Sequence, residues 1–269
     1  MFKYGFIGAG NMAKALASGL VQKVSSNTVA LSDPTPVKLK ALTDSISAHA
    51  STNETIAKSS NYVVLAVKPQ VLPAVLPELQ GPLSENDGPV LVTMAAGTKM
   101  ATICNLLGKE YPVIRIMPNT PCSIGAGVIL VTRNHLVTDE QFHTFIYDFS
   151  ACGKVVPVDE EKLIDSGSVI SGCGPAYIYM YIEALAKAGE ALGLPAETAA
   201  ELAKATCRGS ALLAEQSASS LEDLRIAVCS PGGSTIEGVK SLQNSDLNGV
   251  VKAALDAAYQ RTLELAGDK

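Results

Sequence analysis

The chain lacks any pair of cysteines close enough to form a redox or zinc motif. The nearest two, Cys104 and Cys122, are eighteen positions apart, and Cys152, Cys173, Cys207 and Cys229 are spaced more widely still. Six thiols so dispersed read as reduced, mostly buried side chains. Histidine is scarce: His49, His135 and His143 stand alone in polar surroundings. No metal site is expected from them, and no serine or cysteine has a base spaced beside it for nucleophilic catalysis. Charged residues make up only 17% of 269, the formal net charge is −5, and no basic run occurs. Such a surface argues against nucleic acid or an anionic membrane as partner. No apolar segment reaches the ~20 residues of a membrane-spanning helix. Lys3 precedes an apolar stretch as in a signal peptide, but Asn11 and Lys14 interrupt that stretch, so a cytoplasmic protein is expected.

What the chain has instead is a glycine turn at its start. Gly8-Ala9-Gly10-Asn11-Met12-Ala13 closes the apolar run Phe2 to Ile7 and opens a helical pattern of Met12, Leu16, Gly19 and Leu20. Strand, tight turn and helix in that order are the context of a dinucleotide site. Gly8 permits the turn, Gly10 lets a pyrophosphate approach the backbone, and Ala13 lets the helix pack on the strand. The amides at the helix start then face the anion.

The following residues continue an α/β pattern. Val29 to Ser32 reads as a second strand, and Asp33 stands twenty residues beyond Ala13. A carboxylate there can accept the adenosine ribose hydroxyls; alternatively Asp33 serves only the Asp33-Pro34 turn. Lys38 to Leu42 reads as helix and His49 to Ala57 as a polar segment. Tyr62 to Val67 is continuously apolar and β-branched, as suits a strand buried on both faces of a parallel sheet. Ligands bind beyond the carboxyl ends of such strands, which places Ala66 to Pro69 against the cofactor. Val90 to Met94 is the next strand. The small residues Ala95, Ala96 and Gly97 after it let a flat ring lie on the backbone. Val113 to Met117, Val128 to Thr132 and Lys154 to Val158 complete a sheet of strands alternating with helices.

After Val158 only helical patterns remain, so Pro157-Val158-Asp159 marks a domain boundary. Ala176 to Ala188 is apolar nearly all round, and a helix of that kind must be buried on every face. A domain of little over a hundred residues can hardly wrap it alone, which points to a subunit interface. Further helices are expected from Pro195 to about Gln216, over Ser219 to Val228, and over Leu247 to Leu265, with Gly267-Asp268-Lys269 fraying. Between the last two lies Cys229-Ser230-Pro231-Gly232-Gly233-Ser234-Thr235. Ser234 and Glu237 have capping-box spacing, so a helix should start there with exposed amides and hydroxyls fit for a carboxylate. A plain Pro-Gly-Gly turn with an ordinary cap gives the same residues.

Five stretches together resemble the signatures of the pyrroline-5-carboxylate reductase family, in order over essentially the whole chain. They are Gly5 to Ala13, Ala66-Val67-Lys68-Pro69, Met117-Pro118-Asn119-Thr120-Pro121, Ser171-Gly172-Cys173-Gly174-Pro175-Ala176-Tyr177 and Ser230-Pro231-Gly232-Gly233-Ser234-Thr235. The resemblance implies reduction of 1-pyrroline-5-carboxylate to L-proline with NADPH or NADH. It implies an α/β protein with a Rossmann-like dinucleotide-binding domain over 1–158 and an all-helical substrate-binding and dimerisation domain over 159–269. The cofactor would lie on Ile7, Gly8, Ala9, Gly10, Asn11 and Met12. Its adenosine end would meet Asp33 and Asn53, and its nicotinamide end Ala66, Val67, Lys68, Pro69, Ala95, Ala96 and Gly97. The substrate carboxylate would be held by the amides of Gly233, Ser234 and Thr235 and by Ser230, with the Thr235 hydroxyl on the ring nitrogen. Family members are dimers with interlocked helical domains, sometimes built into larger rings. Cys173 stands where a serine is usual, Ser234 where alanine or threonine is frequent, and Asp33 where some members have serine, which leaves NADPH against NADH open. Competing readings are a reductase of another imine or of a 2-keto acid, and a nucleotide sensor without turnover.

Overall fold

Strand formation at the N-terminus follows from residues that bury both faces of one ribbon. In the computed structural model, which describes residues 1–86 and 88–267, Phe2–Ile7 is β1. Helix α1, Asn11–Leu20, follows at once. Next come β2 (Val29–Ser32), α2 (Pro36–Ile46), β3 (His49–Ala50), α3 (Asn53–Ser59), β4 (Ser60–Leu65), α4 (Leu72–Ser84), β5 (Val90–Thr93) and α5 (Met100–Leu107). The sheet is completed by β6 (Val113–Pro118), β7 (Gly127–Arg133), α6 (Asp139–Phe149) and β8 (Gly153–Pro157). The remaining elements are α7 (Lys162–Ser171), α8 (Gly174–Ala191), α9 (Ala196–Gln216), α10 (Leu221–Ala227), α11 (Ser234–Asn244) and α12 (Leu247–Ala266). Among the described residues no strand follows Pro157. Asp268 and Lys269, expected to fray, lie outside the described residues.

The chain divides into two units: Met1–Cys173 with the end of α12 from Ala258, and Gly174–Ala257. The first holds one eight-stranded sheet in the order β3-β2-β1-β4-β5-β6-β7-β8. Alternate residues of each strand feed opposite faces. Tyr62 and Val64 join Leu16, Phe145 and Phe149 in one core, while Val63 and Leu65 join Ile56, Leu76 and Ile103 in the other. The sheet is a mixed α/β layer with a Rossmann-like N-terminal part, and the chain after it is helical.

Three local points correct or add to what the sequence led one to expect. Strands do not alternate with helices throughout: β6 and β7 pair antiparallel, Ile114 opposite Arg133. The segment between them holds only a 3₁₀ turn, Thr120–Ile124, too short for the crossover that parallel neighbours need. The polar segment from His49 carries the edge strand β3 and helix α3, which Thr52 caps by accepting from the Thr55 amide. Third, only Cys122 and Cys152 of the six free thiols are buried in the chain by itself, so the thiols are not mostly buried.

Helix α4 forms despite Pro77 and Pro82 in its interior. Each interior proline costs about 3 kcal/mol. Leu72, Leu76, Leu79 and Leu83 recur at helix spacing and are all buried. At about 1.5–3 kcal/mol for each buried leucine, that stripe matches or outweighs the loss.

In the second unit, α8 packs on α9 through Ala186, Ala199 and Ala203. Gly193, at φ +96°, carries the chain out of α8, and Pro195 leads into α9.

Candidate active site

The carboxyl ends of β1, β4 and β5 are level, with Ile7 beside Leu65 and Leu65 beside Thr93. The strand order reverses between β1 and β4, the crevice where open α/β sheets take their ligands. A cleft of about 580 Å³ opens there. It is lined by Ile7, Gly8, Gly10, Ser32, Asp33, Pro34, Ser51, Thr52, Asn53, Ala66, Val67, Lys68, Val71 and Val75. Sequence reasoning passed over Ser51 and Thr52. Their signal is the Thr52-Asn53-Glu54-Thr55 helix start, whose cap turns Asn53 into the cleft.

The glycine turn has the shape a pyrophosphate requires. Gly8 has φ +108°, and a Cβ there would lie 2.6 Å from the Ala66 carbonyl oxygen. Its amide donates to the Ser32 carbonyl at 2.8 Å, which joins the turn to β2. A Cβ on Gly10 would meet nothing within 4 Å, so open space lies in front of the start of α1. Gly10 is the N-cap and offers no side-chain bond, which leaves the first-turn amides, including Asn11 and Met12, for an anion.

Asp33 closes the opposite side of the cleft. Its Oδ2 accepts from the Ala9 amide at 2.9 Å, and its Oδ1 from the Thr35 amide at 2.8 Å. Burial by itself raises this carboxyl, but the bonds from Ala9 and Thr35 and the Lys38 charge outweigh it and hold Asp33 below the ordinary carboxylate range. Asp33 is therefore an anion at neutral pH. The Ser32 hydroxyl donates to Asn53 Oδ1 at 2.5 Å, fixing that amide at the floor of the same region.

Other expected residues lie outside this cleft. Ala9 is buried with its amide turned to Asp33, and Pro69 opens a 3₁₀ turn, Pro69–Val71. Ala95, Ala96 and Gly97 follow β5 on the same edge of the sheet. Gly97 has φ +67°, and a Cβ there would lie 3.0 Å from the α12 backbone at Leu265 and Ala266.

The second candidate stretch starts α11. The expected capping box does not form. Ser234 already has helical backbone, Gly233 is the N-cap with no side-chain bond, and Glu237 pairs with Lys240 at 2.8 Å. Glycine is tolerated at this position. The turn is closed by the Gly233 amide donating to the Ser230 carbonyl at 2.9 Å, with Gly232 at φ +71°. Ser230, Ser234 and Thr235 are exposed in the chain by itself, and their hydroxyls have no hydrogen-bond partner among the described residues. Amides and hydroxyls thus lie at one helix start, and among the described residues no carboxylate accepts a hydrogen bond from them.

Among the described residues no cluster of histidine, cysteine, aspartate or glutamate could hold a metal, and no helix is long and apolar enough to cross a membrane.

Comparison with known proteins bears on both stretches. Residues 161–265 match the family described as pyrroline-5-carboxylate reductase dimerisation, and residues 3–97 match the family described as NADP oxidoreductase coenzyme F420-dependent. A pyrroline-5-carboxylate reductase from Pseudomonas aeruginosa is 38% identical over 97% of this chain and 96% of its own length. A pyrroline-5-carboxylate reductase structure from Coxiella burnetii superposes with a TM-score of 0.93 at 34% identity, covering 98% of each chain. One from Plasmodium falciparum, solved with NADP bound, has a TM-score of 0.85 at 30% identity and also covers 98% of each. The chain belongs to the pyrroline-5-carboxylate reductase family.

Proposed function

We propose that the protein reduces 1-pyrroline-5-carboxylate to L-proline at the expense of NADPH or NADH. The observation that carries this reading is the glycine turn, with Gly8 pressed on Ala66 and open space in front of Gly10, in a chain matched end to end by pyrroline-5-carboxylate reductases. Ile7, Gly8, Ala9, Gly10, Asn11 and Met12 would carry the pyrophosphate. Asp33 and Asn53 would take the adenosine end, and Ala66, Val67, Lys68, Pro69, Ala95, Ala96 and Gly97 the nicotinamide end. When bound, the reduced nicotinamide supplies the hydride.

The amides of Gly233, Ser234 and Thr235, with the Ser230 hydroxyl, would hold the substrate carboxylate at the positive end of α11. Thr235 Oγ1 would donate to the ring nitrogen and keep the imine carbon electrophilic. No histidine or carboxylate adjoins Ser230 in the turn, so the chain contributes chiefly orientation and that one hydroxyl.

Residues 1–158 would then serve as the dinucleotide-binding domain and 159–269 as the substrate and dimerisation domain, in a cytoplasmic homodimer open to assembly into larger rings. Support for the dimer lies in α8. Ile178, Tyr179 and Met180 are 53%, 60% and 68% exposed in the single chain, too much apolar surface for water on one helix.

The test follows NADPH and NADH oxidation by absorbance with and without the imine. Consumption only with the imine is expected; consumption with neither, despite cofactor binding, would leave a sensor. Thr235→Ala is expected to lower kcat more than it weakens cofactor binding, and full kcat in that variant would remove Thr235 from the chemistry.

A further inference from the structure

Resting on the reductase reading, we infer that Asp33 makes this enzyme select NADH over NADPH. A 2′-phosphate needs hydrogen-bond donors and positive charge around it, whereas a free 2′,3′-diol needs acceptors. Donors at the end of β2 are already committed. The Ala9 and Thr35 amides both point at Asp33, and the Ser32 hydroxyl is given to Asn53. What remains toward the cleft is a carboxylate with free lone pairs, the Asn53 amide nitrogen and the Ser51 hydroxyl, which are neutral groups or acceptors fit for a diol and bring no positive charge for a phosphate.

The charge count agrees. Lys38, on the first turn of α2, is offset by Asp33 itself. Lys68, among the described residues the one lysine or arginine lining the cleft, follows β4, and β4 and β2 flank β1 on opposite sides. Two strand spacings, at about 4.8 Å each, put the end of β4 well away from the end of β2. A 2′-phosphate placed at Asp33 would therefore meet an immobilised anion. Because the same carboxylate holds the Ala9 amide, it cannot swing aside without opening the glycine turn.

Direct binding separates this inference from turnover. NADH and NADPH are titrated by fluorescence, and 5′-AMP against adenosine 2′,5′-bisphosphate by calorimetry, on the whole protein without imine. NADH and 5′-AMP are expected to bind about tenfold or more tightly than their phosphorylated counterparts, the factor that 1.4 kcal/mol carries. Asp33→Ser is expected to shrink or reverse that ratio. Tighter binding of NADPH to the unaltered protein would overturn the inference while leaving the reductase standing, and this ratio decides even where the variant fails to fold. An unchanged ratio in a folded Asp33→Ser protein would overturn it too. Failure of both dinucleotides to bind would instead sink the reductase reading beneath it.

Discussion

The Arg115 guanidinium grips the Asp165 carboxylate with two hydrogen bonds, one of them 2.5 Å long, from a position only 1% exposed in the middle of the sheet. Glu161 accepts from the same guanidinium at 3.1 Å and from the Met100 amide at 2.7 Å. One arginine on β6 thus anchors the start of α5 and the segment that leads through α7 to the helical part of the chain. Arg115 Nε is left without a partner, so the cluster is already incompletely satisfied.

Removing Asp165 leaves the buried guanidinium with Glu161 as its remaining carboxylate, at a cost toward the lower end of the about 3–5 kcal/mol of a broken buried pair. Asp165→Ala is therefore expected to lower the urea midpoint steeply, and Arg115→Met with Asp165→Leu to restore much of the loss. A midpoint for Asp165→Ala close to that of the unaltered protein would show that the pair does not carry the fold.

The two glycines of the first turn should fail in different ways. Gly8→Ala places a Cβ 2.6 Å from the Ala66 oxygen at φ +108°, so it is expected to cost about 1–3 kcal/mol of stability from backbone strain alone. Gly10→Ala meets nothing within 4 Å, and Gly10 has an ordinary φ of −73°. Its melting temperature should stay put while dinucleotide affinity falls. Equal melting losses in both variants would remove this distinction.

Thiol reactivity should follow burial. Burial raises Cys122, and burial followed by the charge of Cys122 pushes Cys152 up to about 12 from 9.0. Because the folded value lies above the unfolded one, the stabilisation is full below about pH 9 and disappears as pH rises toward 12. At pH 8 a thiolate-selective reagent is expected to spare Cys122 and Cys152 in the native protein and to label all six thiols in guanidinium. Prompt native labelling of Cys152, located by mass spectrometry, would contradict the placement of its side chain against α1, where its thiol donates to the Leu16 carbonyl at 3.5 Å.

The bare apolar surface of α8 predicts self-association. Met180→Glu is expected to shift sedimentation toward the monomer and to lower activity, since a buried charge without a partner opposes docking. An unaltered dimer would mean that two copies meet through another surface.

Much of this was legible because strand-forming runs and glycine turns are local. Val63, Val64 and Leu65 are apolar without a break and β-branched in part, as suits a strand covered on both faces, and Gly8 and Gly10 announce the turn that a pyrophosphate needs. Helix α4 was less legible, since Pro77 and Pro82 argue against a helix that its own four leucines then secure by burial against the sheet. The start of α11 misled for a different reason. Ser234 and Glu237 have the spacing of a capping box, yet the turn closed by Gly233 on Ser230 moves the cap one residue earlier.

By itself, then, the sequence determined the main run of strands, the site of the glycine turn and the change to helices after β8, because each depends on neighbours within a turn or two. Tertiary structure alone decided that β7 runs antiparallel to β6, since strand direction depends on how short a connection can be. It decided likewise that Asp33, 24 residues from Ala9, turns its carboxylate onto that amide, and that Arg115 finds Asp165 fifty residues away. Such pairings join residues whose separation along the chain carries no periodic signal, and burial in a shared sheet is what brings them together.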